Sequence, residues 1–63
     1  MIELQQFLKI VLNISGGEAK HIIQEGLVMV NGQVETRRSK KLSGDDVVEI
    51  EGQKYKVSDF PLK

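Results

Sequence analysis

The apolar positions of the first half of this chain follow a helical rhythm. Leu4, Phe7, Leu8, Val11 and Leu12 recur at i, i+3, i+4, i+7 and i+8, the spacing of one helical face. They predict an amphipathic helix over residues 2–12, with Gln5, Gln6 and Lys9 toward solvent. The run from Asn13 to Gly17 cannot continue it, because asparagine and glycine suit left-handed turns and serine suits a cap. Ser15 stands three residues before Glu18, the capping-box spacing. Ala19, Ile22 and Ile23 then mark a second helix from Gly16 to Glu25, which Gly26 stops. Its other face carries Lys20, His21 and Gln24, with Lys20 and Gln24 one turn apart. A helix of about ten residues is unstable alone in water. It must dock on the first helix, side by side and roughly antiparallel, and on a sheet.

Beyond Gly26 the period shortens to two. Leu27 to Val34 forms two β-prone runs around Asn31-Gly32, a type I′ hairpin signal that needs positive φ at both central residues. That turn places Val28 and Val30 on one face, and Met29 with Val34 on the other. Both faces are apolar, so either one is only partly covered or a bulge shifts the register. Thr36 to Gly44 lacks alternation and reads as a loop or irregular extended segment, anchored by Leu42 beneath basic side chains. After a turn at Ser43-Gly44-Asp45, residues 47–57 read as a second hairpin turning near Gly52. Val48, Ile50, Tyr55 and Val57 then share the buried face, with Glu49 and Glu51 across from Lys54 and Lys56. In the tail, Phe60 covers an open edge of the core and Pro61 discourages further pairing. The expected class is α+β: two short N-terminal helices packed on a small antiparallel sheet, as one domain with its core in 3–57 and a tail at 58–63.

Composition narrows the function. Sixty-three residues make a single small domain that must rely on apolar packing and good local chemistry. With no cysteine and one histidine, disulfides and Cys- or His-rich metal sites are excluded, and no cofactor is expected. No stretch approaches a membrane span and no basic leader precedes an apolar run, which places the protein in the cytoplasm. Formal net charge is zero, but residues 1–19 total −1, residues 20–41 total +3 and residues 42–63 total −2. The middle third is the electropositive part.

Three features carry candidate chemistry. Arg37, Arg38, Lys40 and Lys41 put four cations in five residues, suited to phosphates because arginine grips bidentately and lysine acts as a point charge; the same loop also reads as a solvated segment that keeps the domain soluble. At the start of the second helix, Gly16 and Gly17 leave N–H groups uncovered where the helix dipole is positive, with Lys20 beside them. Taken alone, that motif reads first as plain capping by Ser15 and Glu18, with Glu18 shaping the turn rather than touching a ligand. His21 reads as a surface residue that can also stack on or hydrogen-bond to RNA. Asp45-Asp46 beside Gly44 reads as turn chemistry. No nucleophile-and-base set and no paired carboxylates stand out, so the chain is not read as an enzyme.

Taken together, Leu4, Phe7-Leu8, Ser15, Glu18-Ala19-Lys20, Ile22-Ile23, Gly26, Val28, Val30-Asn31-Gly32, Lys41-Leu42 and Gly44-Asp45 resemble the RNA-binding domain named after small-subunit ribosomal protein S-four. The resemblance spans residues 3–57, and its strength lies in the joint order of the pieces. It implies an αL-type fold that binds structured RNA through the second helix, the turn before it and the basic loop. Ser15, Gly17, Lys20, Gln24, Arg37, Arg38, Lys40 and Lys41 become RNA-contact candidates, with His21 beside them. Two positions depart from the pattern. Glu3 stands where many members have arginine, and Gly16-Gly17 where one or two arginines often follow the serine. The expected function is a monomeric, non-catalytic binder of ribosomal or transfer RNA in ribosome assembly or translation, with the ribosomal subunit as a partner. No aromatic residue lies in the basic stretch, which disfavours single-strand stacking. The competing expectation is a protein-interaction adaptor docking on a larger complex.

Overall fold

Helices α1 (Leu4–Leu12) and α2 (Gly16–Gln24) stand where the apolar rhythm puts them. The computed structural model describes residues 2–60. Asn13 takes the left-handed conformation between the helices, at φ 54° and ψ 48°. Leu4, Phe7 and Leu8 of α1 and Ala19 and Ile23 of α2 point into the core. Gly26, at φ 78°, ends α2 in a Schellman turn. Its N–H donates to the Ile23 carbonyl and that of Leu27 to the Ile22 carbonyl.

The first helix starts two residues later than the periodicity predicts. Ile2–Glu3 is instead a short strand, β1, pairing antiparallel with β4 (Lys41–Leu42). Ile2 lies opposite Leu42, and both are buried. The first-turn donors of α1 then find acceptors in the crossing segment: Leu4 N–H donates to the Lys40 carbonyl at 2.8 Å and Gln5 N–H to the Arg38 carbonyl at 3.0 Å. A helix end leaves such N–H groups without internal partners, so the loop satisfies what an extra turn would only have moved. The partner of β4 is at the opposite end of the sequence, which local alternation cannot show.

The main sheet runs β3 (Gln33–Val34), β2 (Val28–Val30), β5 (Val47–Ile50), β6 (Gln53–Lys56), antiparallel throughout. Asn31 and Gly32 both have positive φ, 53° and 84°, the type I′ geometry. Met29 pairs with Val34 and Val30 with Gln33, so no bulge intervenes and the hairpin's outer face is the partly covered one: Val28 and Val30 are buried, while Val34 is 58% exposed. In the second hairpin Glu49 faces Lys54 as expected. Glu51 does not face Lys56. It occupies the turn with Gly52, at φ 51° and 81°, and Lys56 pairs with Val47. Val57 is buried, but in a 3-10 turn, Val57–Asp59, that follows the strand. Phe60 meets Phe7 edge-on, with ring centres 5.5 Å apart, and tilts toward Tyr55. Pro61 and the rest of the tail lie outside the described residues.

One polar tie joins the two turns at the same end of the sheet. The Asn31 amide donates to Asp46 Oδ1 at 2.9 Å and its oxygen accepts the Val47 N–H at 2.9 Å, while Asp46 Oδ2 accepts the Ser43 N–H at 2.9 Å. Asn31 of the V-N-G motif and the second aspartate of G-D-D are therefore partners.

Candidate nucleic-acid interface

The basic loop is held at both ends and open between. On one side its Arg38 and Lys40 carbonyls sit on the first turn of α1; on the other, β4 enters the turn that Asp46 closes. Lys40 N–H donates to the Arg37 carbonyl at 3.2 Å, a tight turn. The backbone is thus fixed while Arg37, Arg38 and Lys41 project into solvent and Lys40 is half-buried.

Two of the four cations have internal partners. Arg37 Nε meets Glu35 Oε2 at 3.1 Å and Lys41 Nζ meets Glu3 Oε2 at 2.8 Å. The hydrogen bond from Lys41 is the main reason the Glu3 carboxyl titrates below its ordinary value, with Gln5 second. The Arg37 side chain, then its backbone N–H, does the same for Glu35. Both pairs are exposed on the cation's side, where ion pairs are weak and exchange readily. Arg38 and Lys40 form no ion pair among the described residues. Glu3, which departs from the family pattern, orients Lys41 and places negative charge at the start of α1, where the helix dipole favours it.

At the start of α2, Ser15 Oγ accepts the Glu18 N–H at 3.2 Å and its hydroxyl reaches Glu18 Oε1 at 3.4 Å. Capping is therefore real, and it leaves the Gly16 and Gly17 N–H groups without acceptors among the described residues. Lys20, His21 and Gln24 are exposed, as are Ser15 and Gly17. Sequence reasoning treated Lys9 only as a solvent-facing residue. Its stem lies against Gly16, with Lys9 Cδ 3.9 Å from where a Cβ would stand, so its ammonium, two bonds further on, reaches the same helix end. A side-chain-free residue just after a cap, seven residues on from a lysine of the preceding helix, is the signal that points to it.

The loop and the start of α2 both lie against α1. The loop docks on the first turn of α1, whereas Gly16 lies beside Lys9 in its second half. The α1 residues they touch, Leu4 and Gln5 against Lys9, are about 6–7.5 Å apart along the helix axis. Asp46 is committed to the Asn31 tie, with its carboxyl held below the ordinary range by the Ser43 N–H and then by Asn31. Among the described residues, no three His, Cys, Asp or Glu side chains converge as a metal site, and no helix is long and apolar enough to cross a membrane.

Two helices on an antiparallel sheet, with a cationic loop laid over the first helix's start, define an α+β domain of a known class. The family model described as "S4 domain" matches residues 1–58, and the protein belongs to that family. A curated relative, the probable ribosome maturation protein RlbA of Bacillus subtilis (strain 168), is 53% identical over 53 residues, covering 82% of this chain and 75% of the relative. Among solved structures, a pseudouridylate synthase superposes with TM-score 0.78 at 22% identity over 81% of this chain. The 30S ribosomal protein S4e of Thermoplasma acidophilum does so with TM-score 0.65 at 32% identity over 84%. This chain spans 22% and 27% of those two chains.

Proposed function

We propose that the protein is a non-catalytic, monomeric binder of structured RNA, ribosomal or transfer RNA, acting in the cytoplasm in ribosome assembly or translation. The observation that carries this reading is the fixed backbone of the Arg37–Lys41 loop, which presents its cations from a surface rather than from a flexible tail. Family membership and the name of the RlbA relative support it. Ser15, Gly17, Lys20, His21 and Gln24 at α2, joined by Lys9, form a second contact area beside the later part of α1. Two such areas suit a folded RNA that offers several phosphates at once, and phosphate contacts of this kind position the RNA without reading its sequence.

Filter binding of a folded ribosomal RNA fragment across a salt series tests the proposal. Affinity should fall steeply with salt, as counterions are released from the phosphates that the cations neutralise. A flat response would remove the electrostatic basis of the reading. Crosslinking in cells followed by sequencing of the attached RNA identifies the target.

A further inference from the structure

Helix α2 has a second exposed stripe of opposite character. Glu18 and Ile22 are one turn apart, while Lys20 lies about 160° around the helix from Glu18. The Glu18–Ile22 stripe faces the turn of the second hairpin across an open groove of ≈ 470 Å³. Its floor is apolar, made by Leu12, Ile14, Ile22 and Tyr55, all half-buried. Its rim carries Glu18 from the helix and Glu51 from the β5–β6 turn. Among the described residues, no lysine or arginine lines it and neither carboxylate has an ion-pair partner.

We propose that this groove is a docking site for a short basic and apolar peptide segment of a protein partner. An apolar side chain of the segment seats on the Leu12, Ile14, Ile22 and Tyr55 floor, and flanking lysines or arginines meet Glu18 and Glu51. Charge complementarity selects this occupant. Two carboxylates without ion-pair partners among the described residues disfavour a phosphate backbone or an acidic peptide and favour a cationic one. The groove lies across α2 from Lys20 and Gln24, so a peptide there leaves that cationic stripe uncovered. The domain then joins two partners of opposite charge on two sides of one helix.

The test is an amide-shift titration of the full chain with the acetylated, amidated peptide Lys-Leu-Lys-Leu-Lys. Two control peptides accompany it, one with glutamate in place of lysine and one with serine in place of leucine. The expected result is saturable shifts at Leu12, Ile14, Ile22 and Tyr55, with both control peptides weaker. Glu51→Lys should weaken the lysine-leucine peptide by about threefold or more, the scale of one exposed charge contact. Glu18→Gln, which keeps the capping geometry, should act in the same direction, and the unperturbed spectra of both variants verify their folds. Shifts centred on Arg37–Lys41, equal binding of either control peptide, indifference to both substitutions, or no saturation at millimolar peptide each overturn the proposal.

Discussion

Replacing Asn31 with alanine should cost this domain a large part of its stability. The substitution removes the donor to Asp46 Oδ1 and the acceptor for the Val47 N–H, both at 2.9 Å. It also places alanine at φ 53°. A hydrogen bond to a charged group contributes about 1.5–3 kcal/mol and a neutral one about 0.5–1.5 kcal/mol. Left-handed backbone costs a non-glycine residue about 1–2 kcal/mol, less for asparagine. The tie is exposed, so water recovers part of the lost bonding, and about 2–3 kcal/mol is the net expectation. Against roughly 3–9 kcal/mol for a chain of this length, that is about a fifth of the total at the least. The midpoint of thermal unfolding should fall by on the order of 10–20 °C. Urea titration followed by circular dichroism measures the loss, and Asn31→Gly, which keeps the φ freedom, separates the backbone part from the hydrogen bonds. The double variant Asn31→Ala with Asp46→Ala should lose less than the sum of its two singles. A loss under about 0.5 kcal/mol for Asn31→Ala would show that the Asn31–Asp46 tie does not hold the two turns together.

Other outcomes follow from the same geometry. Glu3, Glu35 and Asp46 all titrate below their ordinary values in the folded chain. Their stabilisation is present above the unfolded carboxylate pKa, near 4, and is lost as pH falls through the lower folded values. Urea midpoints should therefore hold from pH 7 to about 5 and drop toward pH 2.5, with Asn31→Ala showing a smaller drop. Leu42→Ala removes a fully buried anchor opposite Ile2 and should cost about 2–5 kcal/mol, loosening the basic loop with it, as faster amide exchange at Leu4 and Gln5 would report. Arg38→Glu should weaken binding to several structured RNAs about equally and lower the salt slope by about one or more, without changing the unfolding free energy by more than about 0.5 kcal/mol.

The helices and both hairpins are legible because their signals are local. Leu4 to Leu12 carries a 3.6-residue rhythm, Gly26 a left-handed stop, and Asn31-Gly32 a turn chemistry that allows few alternatives. What escapes the sequence is long-range. Ile2 leaves the first helix because Leu42 is available to pair with it, and that availability depends on the whole fold. Glu51 looked like a strand residue by alternation, but with Gly52 it forms the tight turn, and a hairpin register cannot be read when two positions compete for the turn. The candidate RNA-contact residues are legible as exposed polar side chains, as Arg37, Arg38, Lys20 and Gln24 all are. Their arrangement is not: the loop docks on the first turn of α1, and the Lys9 stem lies against Gly16 about one turn further along the same helix.

The contact surface itself can be mapped by ultraviolet crosslinking of the full chain to a folded ribosomal RNA fragment, with the attached peptides identified by mass spectrometry. Crosslinks should fall in the segments that carry Lys20 to Gln24 and Arg37 to Lys41. Crosslinks confined to Lys54 and Lys56 on the second hairpin, with none in those two segments, would contradict the account.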